Sequence, residues 1–183
     1  MTDEQWGPLA ALAGTWRGDE GLDVAWSHAH GASWESPYTE ELTLTPFGPV
    51  VNGSQHLYGL DHRSSMWRGG EQVPFHTEVG YWLWDGATGE VLKCFVVPRG
   101  ISLVAGGTAG PGATAFELRA GEGTYRIAEN RYLASEASTL SYLLEVEVRG
   151  PDEWAYSSTT MLRMRGLDEP YPHTDRNVLR RVG

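Results

Sequence analysis

The sequence is short of cysteine, of lysine and of positive charge. One cysteine, Cys94, in 183 residues leaves no intrachain disulfide framework and no cysteine-rich zinc or iron–sulfur site. The chain must therefore hold its fold by packing. Basic residues number 14 against 24 acidic ones, a formal net charge of -10, so the broad basic face needed to bind nucleic acid or an anionic membrane is missing. Only one basic residue, Lys93, is a lysine. No apolar run approaches the roughly 18 residues of a membrane-spanning helix, and the start, Met1-Thr2-Asp3-Glu4, is acidic where a secretory leader would be basic. These absences predict a soluble, cytoplasmic protein with neither nucleic acid nor membrane as partner, present as a monomer or homodimer. Glycine and proline, 23 and 10 residues, stay below the share that marks a low-complexity chain. Aromatic residues are plentiful: eight Trp and eight Tyr within a 40% hydrophobic composition suit one folded domain over residues 1–183.

Residues 2–13 carry Trp6, Leu9, Ala10 and Leu12 at helical spacing, with Thr2 or Asp3 as N-cap and Gly14 as stop, and predict a short helix capping the rest. From Gly14 onward the period falls to two. Leu140, Tyr142, Leu144, Val146 and Val148 share one face of a strand. Tyr38, Leu42 and Leu44 share another, with Glu40 as an inward misfit. Trp154, Tyr156, Ser158, Thr160, Leu162 and Met164 share a third that is hydroxylated in its middle. Further strands are expected at 16–21, 55–60, 76–84, 91–97, 101–105, 115–120, 124–130 and 178–182, with a tight hairpin at Asp85–Gly89. So many short strands with one helix predict an all-β fold, an antiparallel up-and-down β-barrel of about ten strands. Residues 27–37, with His28, His30 and Trp34, read as the longest loop, and Ala105–Gly112 reads as a glycine-rich hairpin loop.

His76 and Glu78, two apart on one strand, project to the same side and can act as a buried acid/base couple. The inward parity of Tyr156 makes it a cavity residue whose hydroxyl can reach Ser158, Thr160 or a ligand. A ligand cavity is then expected among Tyr38, Leu42, His76, Tyr142, Leu144, Val146, Tyr156, Ser158 and Thr160. His28 and His30 read as solvated, His62 and His173 as turn residues, and Cys94 as an inert buried thiol. Neither a hydrolase elbow nor a phosphate-binding glycine loop is present.

Leu12-Ala13-Gly14-Thr15-Trp16-Arg17-Gly18 resembles the Gly-x-Trp strand start of the calycin barrels, the lipocalins and fatty-acid-binding proteins. Together with Tyr38-Thr39-Glu40-Glu41-Leu42, His76-Thr77-Glu78-Val79-Gly80-Tyr81 and Val178-Leu179-Arg180-Arg181-Val182, it is similar to the nitrobindin family. The resemblance implies a ten-stranded barrel holding haem b, with nitric oxide and peroxynitrite handling and a peroxynitrite isomerase-like activity. It implies Trp16 as a plug stacked by Arg180 or Arg181, and His76 on the distal side of the haem. The position of the family's proximal histidine is taken here by Tyr156, which the resemblance makes the haem-iron ligand in its place. The residues also support a second expectation: a haem-free barrel enzyme that binds a small hydrophobic or planar ligand, with His76, Tyr156 and Glu78 as acid/base or orienting groups.

Overall fold

The computed structural model describes residues 3–121 and 123–182. Eleven strands follow one another: β1 (Gly14–Ser27), β2 (Ala32–Asn52), β3 (Gln55–Arg68), β4 (His76–Asp85), β5 (Glu90–Val97), β6 (Ile101–Thr108), β7 (Ala115–Ala120), β8 (Ile127–Glu129), β9 (Ala137–Gly150), β10 (Glu153–Met164) and β11 (Tyr171–Arg181). Ten of them close a ring through β1–β2–β3–β4–β5–β6–β7–β9–β10–β11 and back to β1, every pairing antiparallel. The three-residue β8 pairs with the first residues of β6, filling the space that β7 leaves because β7 meets β6 at one residue pair only, Gly106 with Arg119. The fold is thus the closed ten-stranded barrel that the alternation predicts.

The core follows the period-two pattern. On β2, Tyr38, Glu40, Leu42 and Leu44 are buried and their neighbours exposed. On β5, Val91, Lys93 and Phe95 face inward while Leu92 and Cys94 are half-buried on the outside. Cys94 is therefore an outer-face thiol rather than a core one, and burial raises its pKa. Trp16, fully buried, plugs one end: its indole N–H donates to the Leu12 carbonyl at 2.7 Å and Trp154 meets it edge-on at 6.1 Å. Of the two arginines expected to stack on it, Arg181 does so, at 4.2 Å from the ring centre, and also donates to the Ala13 carbonyl. Arg180 faces outward toward Glu20. Gly80 of the His-x-Glu-x-Gly segment is required by backbone approach, since a Cβ there would collide with the Cys94 carbonyl of β5.

Four expectations are corrected. The N-terminal helix is a 3-10 segment, Asp3–Leu12, broken at Gly7 where φ is +50°, and it sends Trp6, Leu9 and Leu12 into the core; Thr2, offered as its cap, lies outside the described residues. The loop expected over 27–37 is a short turn, because β1 and β2 continue as a hairpin arm as far as the Ser27–Ala32 pair. Gly106 and Gly107 belong to β6, not to a loop, and Gly107 lies against the backbone of Glu117. A six-residue helix, α1 (Arg131–Glu136), capped by the Asn130 side chain on the Leu133 N–H, lies between β8 and β9. Among the described residues no helix is long and apolar enough to cross a membrane.

Candidate functional site

Beyond the Trp16 plug the barrel holds a cavity of about 200 Å³. Its lining combines apolar and aromatic residues, Leu42, Trp82, Phe95, Leu103, Leu144 and Trp154 among them, with three groups of ionisable side chains.

The first group surrounds Glu40, which is buried and accepts three hydrogen bonds: from Ser64 Oγ at 2.8 Å, Tyr156 Oη at 2.8 Å and Asn177 Nδ2 at 3.1 Å. All three donors are neutral. Burial outweighs them and raises the Glu40 pKa. Because the Tyr156 proton is committed to Glu40, the hydrogen in the 2.9 Å contact between the two phenols comes from Tyr38, whose hydroxyl also lies 3.3 Å from the Arg176 carbonyl, giving a chain Tyr38 to Tyr156 to Glu40. Burial, then the neighbouring Glu40 carboxylate, drives the Tyr156 pKa well above 10, so this group is a phenol. Its partners are Glu40 and Tyr38 rather than Ser158 or Thr160.

The second group centres on Glu78. Lys93 Nζ donates to it at 2.8 Å, and His76 Nε2 stands 3.4 Å from its other oxygen. His62 Nε2 lies 3.2 Å away, an ion-pair distance, without completing a hydrogen bond. His62 Nδ1 accepts from the Trp82 indole at 3.0 Å, which places the proton of a neutral imidazole on Nε2, toward Glu78. Burial alone would raise the Glu78 pKa, but Lys93 with the two imidazoles pulls it well below 4.5. Burial lowers His62, whereas Glu78 overcomes burial at His76 and raises it. The Lys93 ammonium also lies 4.2 Å from the centre of the Phe95 ring.

The third group joins β1, β3 and β11. His173 Nε2 is 2.6 Å from Asp23 Oδ1 and 3.4 Å from Asp175 Oδ2, while Arg68 donates to the other Asp23 oxygen at 2.7 Å. Donor atoms of Asp23, His173 and Asp175 lie within 4.8 Å of one another, the spacing of a set that could hold a metal ion. Arg68 and His173 already provide the positive charge Asp23 needs. Burial raises the Asp175 pKa to about 6. Against burial, Asp23 and Asp175 raise His173 above 6.5, and His173 with Arg68 brings Asp23 below 3.8. A histidine raised on folding stabilises the fold fully below its unfolded pKa, and that stabilisation is lost as pH rises through the folded one. The His173→Asn variant is therefore expected to lose less stability than the wild type as pH rises from 6.5 through the raised value. Urea midpoints across that range check this, and parallel slopes would refute it. His76 contributes in the same direction and leaves the variant a residual slope.

Leu42, His76, Glu78, Tyr142, Leu144, Tyr156, Ser158 and Thr160 line the cavity, as do Glu40, His62, Lys93 and the Asp23–His173–Asp175 group. Tyr38 stands behind this wall and reaches it through its hydroxyl, and Val146 is packed into the core at the position paired with Phe116. Neither is part of the lining. His62 and His173, read as turn residues, lie within β3 and β11 and face inward. His28 and His30 lie on the turn between β1 and β2, where His30 stacks on Trp34 at 4.3 Å. Two signals pointed to the unrecognised groups: Glu40 as a misfit on an inward face, and a lone lysine sharing parity with Val91 and Phe95.

The model of the THAP4-like, heme-binding beta-barrel domain matches residues 5–181. Among solved structures, the crystal structure of Rv2717c from M. tuberculosis is similar at 21% identity and a TM-score of 0.65, over 96% of this chain and 95% of that one. No curated protein matches.

Proposed function

The chain belongs to the THAP4-like, heme-binding beta-barrel domain family, and from that membership we propose that it keeps the family's barrel cavity for a small organic ligand while having closed it to haem. The residues present do not fit the cofactor. At the position where the resemblance implies an iron ligand stands Tyr156, a phenol whose proton is held by Glu40. A ligating phenolate needs that proton removed with cationic help, and an adjacent buried carboxylate does the opposite. The imidazoles of His62, His76 and His173 each turn Nε2 toward a carboxylate. A cavity of about 200 Å³ falls below the roughly 300–1,000 Å³ of common ligand sites and is small for a porphyrin.

The observation that carries this reading is the Tyr38–Tyr156–Glu40 chain. It stands where the resemblance implies the proximal ligand, and it suits a ligand held by hydrogen bonds against an aromatic wall. His76 with Glu78, and Tyr156 with Glu40, are the pairs that would orient such a ligand and move a proton to or from it. Titration of the purified protein with haemin tests the proposal. No saturable Soret band at one haem per chain is expected. A stoichiometric band would overturn it, in favour of histidine-ligated haem if the band survives in Tyr156→Phe and disappears in His76→Ala or His173→Ala, and in favour of tyrosine-ligated haem if Tyr156→Phe abolishes it.

A further inference from the structure

Five buried side-chain polar atoms lack a hydrogen-bond partner among the described residues: His62 Nε2, Arg68 Nε, Trp84 Nε1, Thr139 Oγ1 and Trp154 Nε1. Arg68 and Trp84 are not part of the cavity lining, and His62 Nε2 has Glu78 beside it. The remaining two, Trp154 and Thr139, both line the cavity. Trp154 is 2% exposed and sits at the plugged end, edge-on to Trp16. Its situation contrasts with that of Trp6, Trp16 and Trp82, whose indole N–H groups all find acceptors inside the protein. An indole N–H can only donate, and a buried donor without an acceptor is costly unless a ligand or water supplies one.

We propose that the ligand is a neutral, aromatic-sized molecule that seats a carbonyl or comparable acceptor oxygen on the Trp154 N–H at the cavity floor. This rests on the haem-free reading above. The surroundings select the class. Tyr156, next to Trp154 with ring centres 6.0 Å apart, commits its proton to Glu40, so beside it the unpartnered indole N–H is the group able to donate to an incoming oxygen. Glu40, accepting from neutral donors alone, disfavours a carboxylate at this depth. A protonated amine has no lone pair to offer an indole. The rings of Trp82 and Phe95 and the side chain of Leu144 favour a planar apolar body. Thr139 Oγ1, able to donate or accept, is left for a second polar group.

Acetophenone and ethylbenzene, nearly equal in shape and different in the oxygen, make the test. Calorimetric titration of the full chain is expected to give about tenfold tighter binding of acetophenone, the factor supplied by one hydrogen bond in a dry site. Trp154→Phe is expected to abolish the preference, bringing the acetophenone and ethylbenzene affinities together. In the wild type, acetophenone and not ethylbenzene should shift the Trp154 indole N–H resonance, a readout that holds even if the variant fails to fold. Equal affinities, a preference that persists in Trp154→Phe, or an unmoved Trp154 resonance would overturn the inference and leave the small-ligand reading standing. Binding of neither compound would overturn both.

Discussion

Lys93→Met is expected to destabilise the barrel by about 3–5 kcal/mol, because it strands the Glu78 carboxylate without its cation inside the protein. Lys93 is 6% exposed and its ammonium is 2.8 Å from Glu78. No other basic side chain stands close enough to take over; His62 is held neutral by burial and His76 is the more distant partner. The double variant Lys93→Met, Glu78→Met is expected to recover most of the loss, since removing both charges removes the uncompensated one. Urea denaturation of the two variants checks this, and a double variant as weak as the single would show that Lys93 stabilises through its packing on Phe95 instead. The sign with pH follows. Glu78, lowered by Lys93, adds stability above 4.5 that is lost only as pH falls through its depressed folded value. Without Lys93 the carboxyl takes up its proton at a higher pH, so the deficit of the single variant narrows as the solution is acidified.

Trp16→Ala is expected to cost about 3–5 kcal/mol, the range for emptying a fully buried large aromatic site. The indole is the common contact of three parts of the chain: the N-terminal segment through the Leu12 carbonyl, β10 through Trp154, and the C-terminal strand through Arg181. Trp16→Phe keeps much of the buried surface, loses the N–H bond, and is expected to fall between the wild type and Trp16→Ala. Denaturation midpoints order the three, and a Trp16→Ala loss below about 1 kcal/mol would mean that the barrel end collapses to fill the space.

Much of this architecture was legible because a strand with one face in a core and one in solvent writes its geometry into the alternation of its residues. The face shared by Tyr142, Leu144 and Val146 and the one running from Trp154 to Leu162 are the cases where that reading succeeds. Where both faces meet solvent the signal disappears. Residues 32–35 of β2 are exposed and Ser36 is half-buried, and the pairing of Ser33, Trp34 and Glu35 with β1 depends on the partner strand alone. The helix α1 buries only Leu133 and is too short to show a period. The site was legible by residue and not by partner. His76 and Glu78 are close in sequence, but Lys93, His62, Asp23, His173 and Asp175 meet only through strand register and ring closure. Glu40 carried the most information: a carboxylate at an inward position of β2 marked where the barrel interior departs from a simple apolar core.

The placement of the only lysine has a practical side. Its amine lies inside the barrel against Glu78 and Phe95, so the folded surface offers no lysine to amine-directed reagents. Acylating dyes, aldehyde crosslinkers and lysine-modifying enzymes would find their target there only when the barrel opens, and the extent of Lys93 modification in a mixed population then reports the fraction of molecules that have lost the fold.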